Sequence, residues 1–234
     1  MSDHRLNEYG QPIGLPVSLE LPRPAPPHTT LRGRLVELVA MHSSHAPGFY
    51  ECFTDPAGWT YLGEDVPFES IQHAQEWTDA RVPSHDPLFY TVLQAGKPVG
   101  FCSFLRIAPG NGVIEIGYIH FSPVIQGTPA ATEAQYLMMR HVFDDLGYRR
   151  YEWKCDALNA PSRTAAQRLG FTFEGIFRQA VVYKGRNRDT AWFSILDSEW
   201  PAIKARFETW LSPDNFDHNG QQKSRLQNCA GKPG

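Results

Sequence analysis

The 234-residue sequence predicts an α+β fold with a mostly antiparallel sheet, and three observations lead to it. Three β-rich runs, LFYTVLQ (88–94), VGFCSFLRI (99–107) and VIEIGYIHF (113–121), are separated only by AGKP and APGNG. Both separators are turn chemistry, so the runs read as an antiparallel meander. Apolar residues then change from a strand period to a helical one, at Ala130, Ala134, Leu137, Met138 and Val142. One more strand, a short helix and a hairpin follow before a last amphipathic helix.

Residues 1–29, with LPRPAPPHTT, are rich in proline and show no periodicity, which predicts an extended arm lying across the domain or a partner subunit. The globular unit spans 30–211. Its first strand falls in TLRGRLVELVAM, where Leu35, Val36, Leu38 and Val39 supply the apolar content. SHAPGFYECF, GWTYL and ESIQHAQEWTDARV predict two or three short helices with aromatic residues between them. After the meander, Thr128 stands as N-cap and Pro129 takes the first helical position, where a missing N–H costs nothing; Gly147 stops the helix. RRYEWKCDA sets Tyr151, Trp153 and Cys155 against Glu152, Lys154 and Asp156, a strand with two different faces. A helix from Pro161 to Leu169, ended by Gly170, leads into FTFEGIFRQ, and AVVYKGRNRDTAWFSIL is a hairpin with its turn in GRN. In SEWPAIKARFETWL, Trp200, Ile203, Phe207 and Trp210 lie along one side; with the arm, this aromatic helix points to a homodimer. Residues 212–234 are polar and predict a loosely ordered tail.

The formal net charge of −3 argues against electrostatically driven binding to nucleic acid or an anionic membrane, which needs a basic face. A handler of small molecules or peptides fits better. The four cysteines, Cys52, Cys102, Cys155 and Cys229, form no C-x-x-C pair, so neither a zinc site nor a disulfide framework is signalled. His42 and His45 have ligand-compatible spacing without a third partner, and no metal is expected. The polar N-terminus lacks the apolar core of a signal peptide and no stretch is long enough to span a bilayer, so the expected location is the cytoplasm.

The stretch SPVIQGTPAATEA (122–134) places a Gln-Gly turn between an apolar strand and a proline-started helix. The first-turn N–H groups of such a helix point outward from the positive end of its dipole and suit a phosphate. There is no G-x-x-x-x-G-K-[ST] elsewhere, and Gly110-Asn111-Gly112 opens a strand as a hairpin turn. The succession IEIGYIHFSPVIQGTPAATEA, then NAPSRTAAQRLGFTFEGIFR, resembles the GCN5-related N-acetyltransferases (GNAT), in particular the branch similar to ribosomal-protein N-terminal acetyltransferases. The resemblance runs from about residue 31 to residue 211. It implies a mixed, mostly antiparallel central sheet with helices on both faces, a closing hairpin and a C-terminal helix. It also implies acetyl-CoA as co-substrate, its pyrophosphate resting on main-chain amides of a Q/R-x-x-G-x-G/A turn. Gln126, Gly127, Thr128, Pro129, Ala130 and Ala131 occupy that turn here. Pro129 stands where the family has a glycine and brings no N–H, so the cradle would rely on Gly127, Thr128, Ala130, Ala131 and Thr132. Asn159 and Ser162 match the family's N-x-x-S and would meet the pantetheine arm; backbone amides near Ile119 to Phe121 would meet the thioester carbonyl.

Moving an acetyl group from a thioester to an amine needs a neutral amine, a polarised carbonyl and a proton for the departing thiolate. Glu115 leads as base, because a carboxylate inside VIEIGYI is out of place unless paired or used. His120 is second. For the acid, Ser162 comes first, with Tyr183 and Tyr118 behind it, and water is the alternative because a thiolate of low basicity makes a dedicated acid optional; relatives often carry a tyrosine where this chain has Ala166. Trp59, Tyr61, Phe68, Lys184, Arg186, Arg188 and Asp189 fall where the family builds its acceptor pocket, although aromatics are usually core and basic turns usually solvated. A basic hairpin tip lining that pocket would select an acceptor with an acid group. The acceptor is a small-molecule amine or a protein N-terminus. The competing reading, from Pro129 and Ala166, is a non-catalytic acyl-CoA-binding sensor or interaction module.

Overall fold

The computed structural model describes residues 4–63 and 65–229. In the N-terminal arm, β1 (His4–Leu6) and β2 (Pro12–Gly14) form a short antiparallel hairpin that periodicity did not signal. The rest of the arm is extended across the domain. Prolines give it few N–H donors, so it is held mostly through its carbonyls. The Tyr148 hydroxyl donates to the Pro24 carbonyl (3.0 Å) and the Tyr90 hydroxyl to the Pro27 carbonyl (3.1 Å). Arg23 reaches the Leu146 carbonyl through Nε (3.0 Å).

The main sheet has eight strands: β3 (Leu31–Arg32), β4 (Glu37–Ala40), β5 (Leu88–Gln94), β6 (Lys97–Ala108), β7 (Val113–Phe121), β8 (Arg150–Asp156), β9 (Thr172–Tyr183) and β10 (Arg186–Leu196). Their order is β3-β4-β5-β6-β7-β8-β10-β9. Every neighbouring pair is antiparallel except β7 and β8, which run parallel. A parallel pair needs a crossover, and α3 (Pro129–Arg140) with its closing π-turn (His141–Asp145) supplies it.

Helices cover both faces. On one, α3, α4 (Ala160–Leu169) and α5 (Trp200–Leu211) bury Leu137, Leu169 and Phe207 against Ile114, Tyr151 and Phe193. On the other, α1 (Ala46–Cys52) and α2 (Ile71–Asp79) enclose a smaller core of Phe49, Phe53, Trp59, Phe68, Trp77 and Phe101. Trp59 and Phe68 therefore pack as core, not as pocket wall.

Three expectations are corrected. The hairpin turn comes one residue early, at Lys184 (φ 49°) and Gly185 (φ 67°), because a two-residue turn matching strand twist needs positive φ at both positions; FTFEGIFRQ and AVVY merge into β9. Trp200 and Trp210 are buried in the main core, with indole N–H groups on Asp144 (2.6 Å) and Gln222 (2.9 Å), so they offer no exposed surface for a second subunit. Residues 213–229 of the tail are packed: Phe216 bridges Gln222, and Leu226 and Cys229 join the core, while 230–234 lie outside the described residues. A few apolar residues in a polar run are enough to anchor it.

One buried carboxylate ties the first strands to the crossover helix. Glu133, on α3, accepts from the backbone N–H groups of Arg34 (3.0 Å), Leu35 (2.6 Å) and Val36 (3.0 Å). A Cβ at Gly33 would collide with the Glu133 carboxylate, so that loop needs glycine. Glu133→Ala leaves three donors without an acceptor and is expected to cost about 3 kcal/mol of unfolding free energy, read by urea denaturation.

Candidate active site

β7 and β8 pair only from Val113↔Arg150 to Ile116↔Trp153, and beyond that they part. Residues 117–121 of β7 keep β6 on one side and have no strand on the other. A cavity of about 1260 Å³ fills this opening. The Ser122 N–H donates to the Val99 carbonyl (2.9 Å), so strand alternation turns the amides of Ile119 and Phe121 toward the opening. The Phe121 carbonyl on that edge accepts from Gln126 Nε2 (2.6 Å), which fixes the turn that follows.

The start of α3 forms one end of the cavity. Thr128 is N-cap in extended conformation, as expected, but its hydroxyl does not cap: it donates back to the Ile125 carbonyl (2.7 Å). A capping side chain would have covered the first-turn amides; this one leaves them open. The Thr128 N–H is spent on Ile125 O (3.1 Å) and the Thr132 N–H on Thr128 O (3.5 Å). Among the described residues, Gly127, Ala130 and Ala131 are left with main-chain donors that have no partner. This corrects the expected cradle: Thr128 and Thr132 are not amide donors. Neither Ala130 nor Thr132 lines the cavity; both are buried, and Thr132 Oγ1 accepts from Arg168 (3.1 Å). Arg168, over the Trp210 ring at 5.2 Å, lines this end together with Gln221 and Gln222 of the last segment. Gln135 also lines it, with both side-chain polar atoms buried and unpartnered. The unpartnered amides of Gly127 and Ala131, an orphaned amide side chain and a guanidinium suit a phosphate-bearing ligand.

Asn159 caps α4, accepting from the Ser162 N–H (3.1 Å), and both line the cavity. Ser162 Oγ accepts from Trp153 Nε1 (3.0 Å), which occupies a lone pair, and its O–H is within hydrogen-bond reach of the Cys155 sulfur. Tyr183 is spent on Asp156 Oδ2 (2.7 Å).

On the far side stand Glu115 and His120. Five residues apart, they should point to opposite faces of a regular strand. Tyr118 (φ 50°) forms a bulge, seen as a register shift between Ser103↔Gly117 and Phe101↔His120. After it the alternation inverts: Ile119 and Phe121 pack toward the main core, and His120 joins Glu115 on the other face. Glu115 is 5% exposed; Lys154 Nζ lies 2.7 Å from its Oε2, and Arg106 Nη1 lies 3.5 Å from it. Lys154 is shared with Glu152 (2.7 Å) and sits 3.8 Å from the centre of the Trp192 ring. Burial pushes the Glu115 carboxyl above the ordinary glutamate range, while Lys154 and Arg106 draw it back. His120 stacks on Phe53 (4.1 Å between ring centres) and meets Trp59 edge-on; burial lowers its pKa to about 4, so the ring is neutral near pH 7.

Of the residues expected in the acceptor pocket, Tyr61 and Arg188 line the cavity. Lys184 and Arg186 donate to the carbonyls of Trp59 and Thr60, and Asp189 accepts from Gln179 N–H, so the hairpin tip is used to hold neighbouring loops. Lys154, Arg168 and Gln135 were not singled out from sequence; the charged face of RRYEWKCDA was the available signal for Lys154 alone. His45 Nδ1 accepts from His42 N–H (3.1 Å) and pairs with Thr91 Oγ1 (2.8 Å). Among the described residues no cluster of His, Cys, Asp or Glu could hold a metal ion, and no helix is long and apolar enough to cross a membrane.

A sheet opened between two parallel strands beside uncapped helix amides defines an acyl-CoA-type transferase site. The family model described as acetyltransferase (GNAT) domain matches residues 35–172, and the chain belongs to that family of N-acetyltransferases. A crystal structure of a GCN5-related N-acetyltransferase from Brucella melitensis is 48% identical, with TM-score 0.88, over 90% of this chain and 98% of that one. An uncharacterized N-acetyltransferase, p20, of Bacillus licheniformis is 27% identical over 73% of this chain and 98% of its own length. The ribosomal-protein-serine acetyltransferase of Escherichia coli K12 is 25% identical over 70% of this chain and 94% of its own.

His120 gives a pH prediction. Its pKa falls from 6.5 to about 4 on folding, so between those values the unfolded chain binds more protons and stability rises with pH. Lowering the pH through that window should remove up to about 3 kcal/mol. Urea denaturation of His120→Gln should lack this component.

Proposed function

We propose that the chain transfers acetyl from acetyl-CoA to a primary amine, of a small molecule or a protein N-terminus, by direct attack without a covalent enzyme intermediate. The observation that carries this is the continuity of one cavity from the open amides of α3, past the gap beside β7, to Glu115. Membership of a family that uses acetyl-CoA supports the donor. The amides of Gly127 and Ala131, with Arg168, hold the diphosphate region. Asn159 aligns the pantetheine arm, and the amides of Ile119 and Phe121 donate to the thioester carbonyl.

Glu115 accepts the amine proton. Its Oε2 is held by Lys154, whereas Oε1 has no hydrogen bond among the described residues and is not sealed from the cavity. His120 is the weaker base, since a ring with a pKa of about 4 has little affinity for a proton. Ser162, its lone pair engaged by Trp153, donates toward the departing thiolate. The similarity to a ribosomal-protein-serine acetyltransferase favours a protein N-terminus among possible acceptors.

Glu115→Gln should lower kcat by roughly a hundredfold while changing the KM for acetyl-CoA little, in steady-state assays of free thiol release. Lys154 draws the Glu115 pKa down, so Lys154→Met should move the acidic limb of the kcat/KM profile to higher pH. Gly127 holds φ 71°, and a Cβ added there would meet nothing within 4 Å, so Gly127→Ala carries a conformational cost alone. It should lower the unfolding free energy by about 1 kcal/mol in urea denaturation, while titration calorimetry of the unmodified protein with acetyl-CoA should show heat of binding. Absence of heat with the unmodified protein would overturn the donor assignment.

A further inference from the structure

The acceptor wall of the cavity contains donors without acceptors. On β10, Arg188, Thr190 and Trp192 are spaced two apart and so share one face of the sheet. All three line the cavity. Arg188 Nε, Thr190 Oγ1 and Trp192 Nε1 are buried and have no hydrogen-bond partner. Arg188 makes no ion pair among the described residues, in contrast to Arg106, Arg150 and Lys154. Its position is fixed by the sheet: Thr190 stands opposite Asp156 at the end of β8, and Trp192 opposite Lys154.

Charge points the same way. Among the described residues the cavity is lined by four cationic side chains, Arg106, Lys154, Arg168 and Arg188, against one carboxylate, Glu115. Arg168 belongs to the α3 end through Thr132, and Lys154 and Arg106 face Glu115. That leaves Arg188, which lies over the Tyr183 ring at 5.8 Å, as the lining cation with no carboxylate partner among the described residues, on the face of β10 that continues from Lys154. Arg188 is half-buried with its Nε sealed from solvent, and with two neutral donors beside it and no acceptor it suits a ligand that supplies oxygen atoms and negative charge.

Resting on the acetyltransferase reading above, we propose that the acceptor is an amine that also carries an oxyanion, a carboxylate or a phosphate, and that Arg188, Thr190 and Trp192 bind it. The oxyanion docks on β10 while the amine lies toward Glu115. The hairpin thus selects the acceptor through Arg188, not through its tip, where Lys184 and Arg186 are committed to loop carbonyls.

The test is acetyl transfer to matched pairs of acceptors: β-alanine against β-alaninamide, glycylglycine against its amide, and phosphoethanolamine against ethanolamine. The anionic member should show kcat/KM higher by roughly tenfold or more in at least one pair, and which pair responds separates carboxylate from phosphate. Arg188→Gln should bring that ratio to about one and Arg188→Lys should keep part of it, whereas Arg186→Gln should leave the ratio as it is. Equal kcat/KM within every pair for the unmodified enzyme, or a preference that survives Arg188→Gln, overturns the oxyanion site and leaves acetyl transfer standing. No turnover of any amine, with no calorimetric binding of acetyl-CoA, overturns the acetyltransferase reading and this site with it. The comparison of pairs on the unmodified enzyme decides the matter even where a variant fails to fold.

Discussion

The parting of β7 from β8 is the constraint on which the rest of the site depends. Parallel strands joined through a helix cannot share a tight turn, and here they share only four residue pairs before diverging. The divergence leaves a strand edge inside the molecule, where unpaired amides would be a liability unless something else meets them. It also lets a cavity pass from one face of the sheet to the other. Donor-side groups lie on the helix-covered face with α3 and α4, and the ionic groups lie on the face toward α1 and α2. Chemistry placed in the gap has access to both without a moving part.

Burial decides how the ionic groups behave. Glu115, Lys154 and Glu152 form a chain of two carboxylates on one ammonium, with each contact at 2.7 Å. Lys154 is nearly sealed from solvent and further held over Trp192, so the charge that steadies Glu115 has few ways to leave. The pKa of a carboxylate in this position is raised by burial and drawn back by its cationic partners, with burial the larger of the two opposing effects. His120, a few ångströms of aromatic packing away from any charge partner, has only the burial effect and is driven to the neutral form.

Much of the fold was legible because its signals are local. The meander, the proline-started α3 and the Gly170 stop follow from turn chemistry, caps and periodicity within a dozen residues. The turn at 126–131 was legible as the proline-started entry to α3 for the same reason. What sequence hid were partnerships over distance: Lys154 reaches Glu115 across 39 positions, and Arg168 meets Thr132 across 36. Residue type alone also misled where burial overrode it. The polar run from 213 to 229 is anchored by Leu226 and Cys229, whereas Trp59 and Phe68 take the core role that is usual for aromatic residues. The direction of the Thr128 hydroxyl, on which the open amides depend, has no signature in sequence.

The bulge at Tyr118 has a consequence for how such a strand can change over time. Because it inverts the alternation between Glu115 and His120, the number of residues separating them matters as much as their identity. Losing or gaining one residue in 116–119 would rotate everything downstream by half a turn, swapping His120 with Phe121 and presenting the wrong amides to the gap. Drift in this stretch can therefore proceed by exchange of side chains but not by insertion or deletion, a rule for aligning its descendants without gaps.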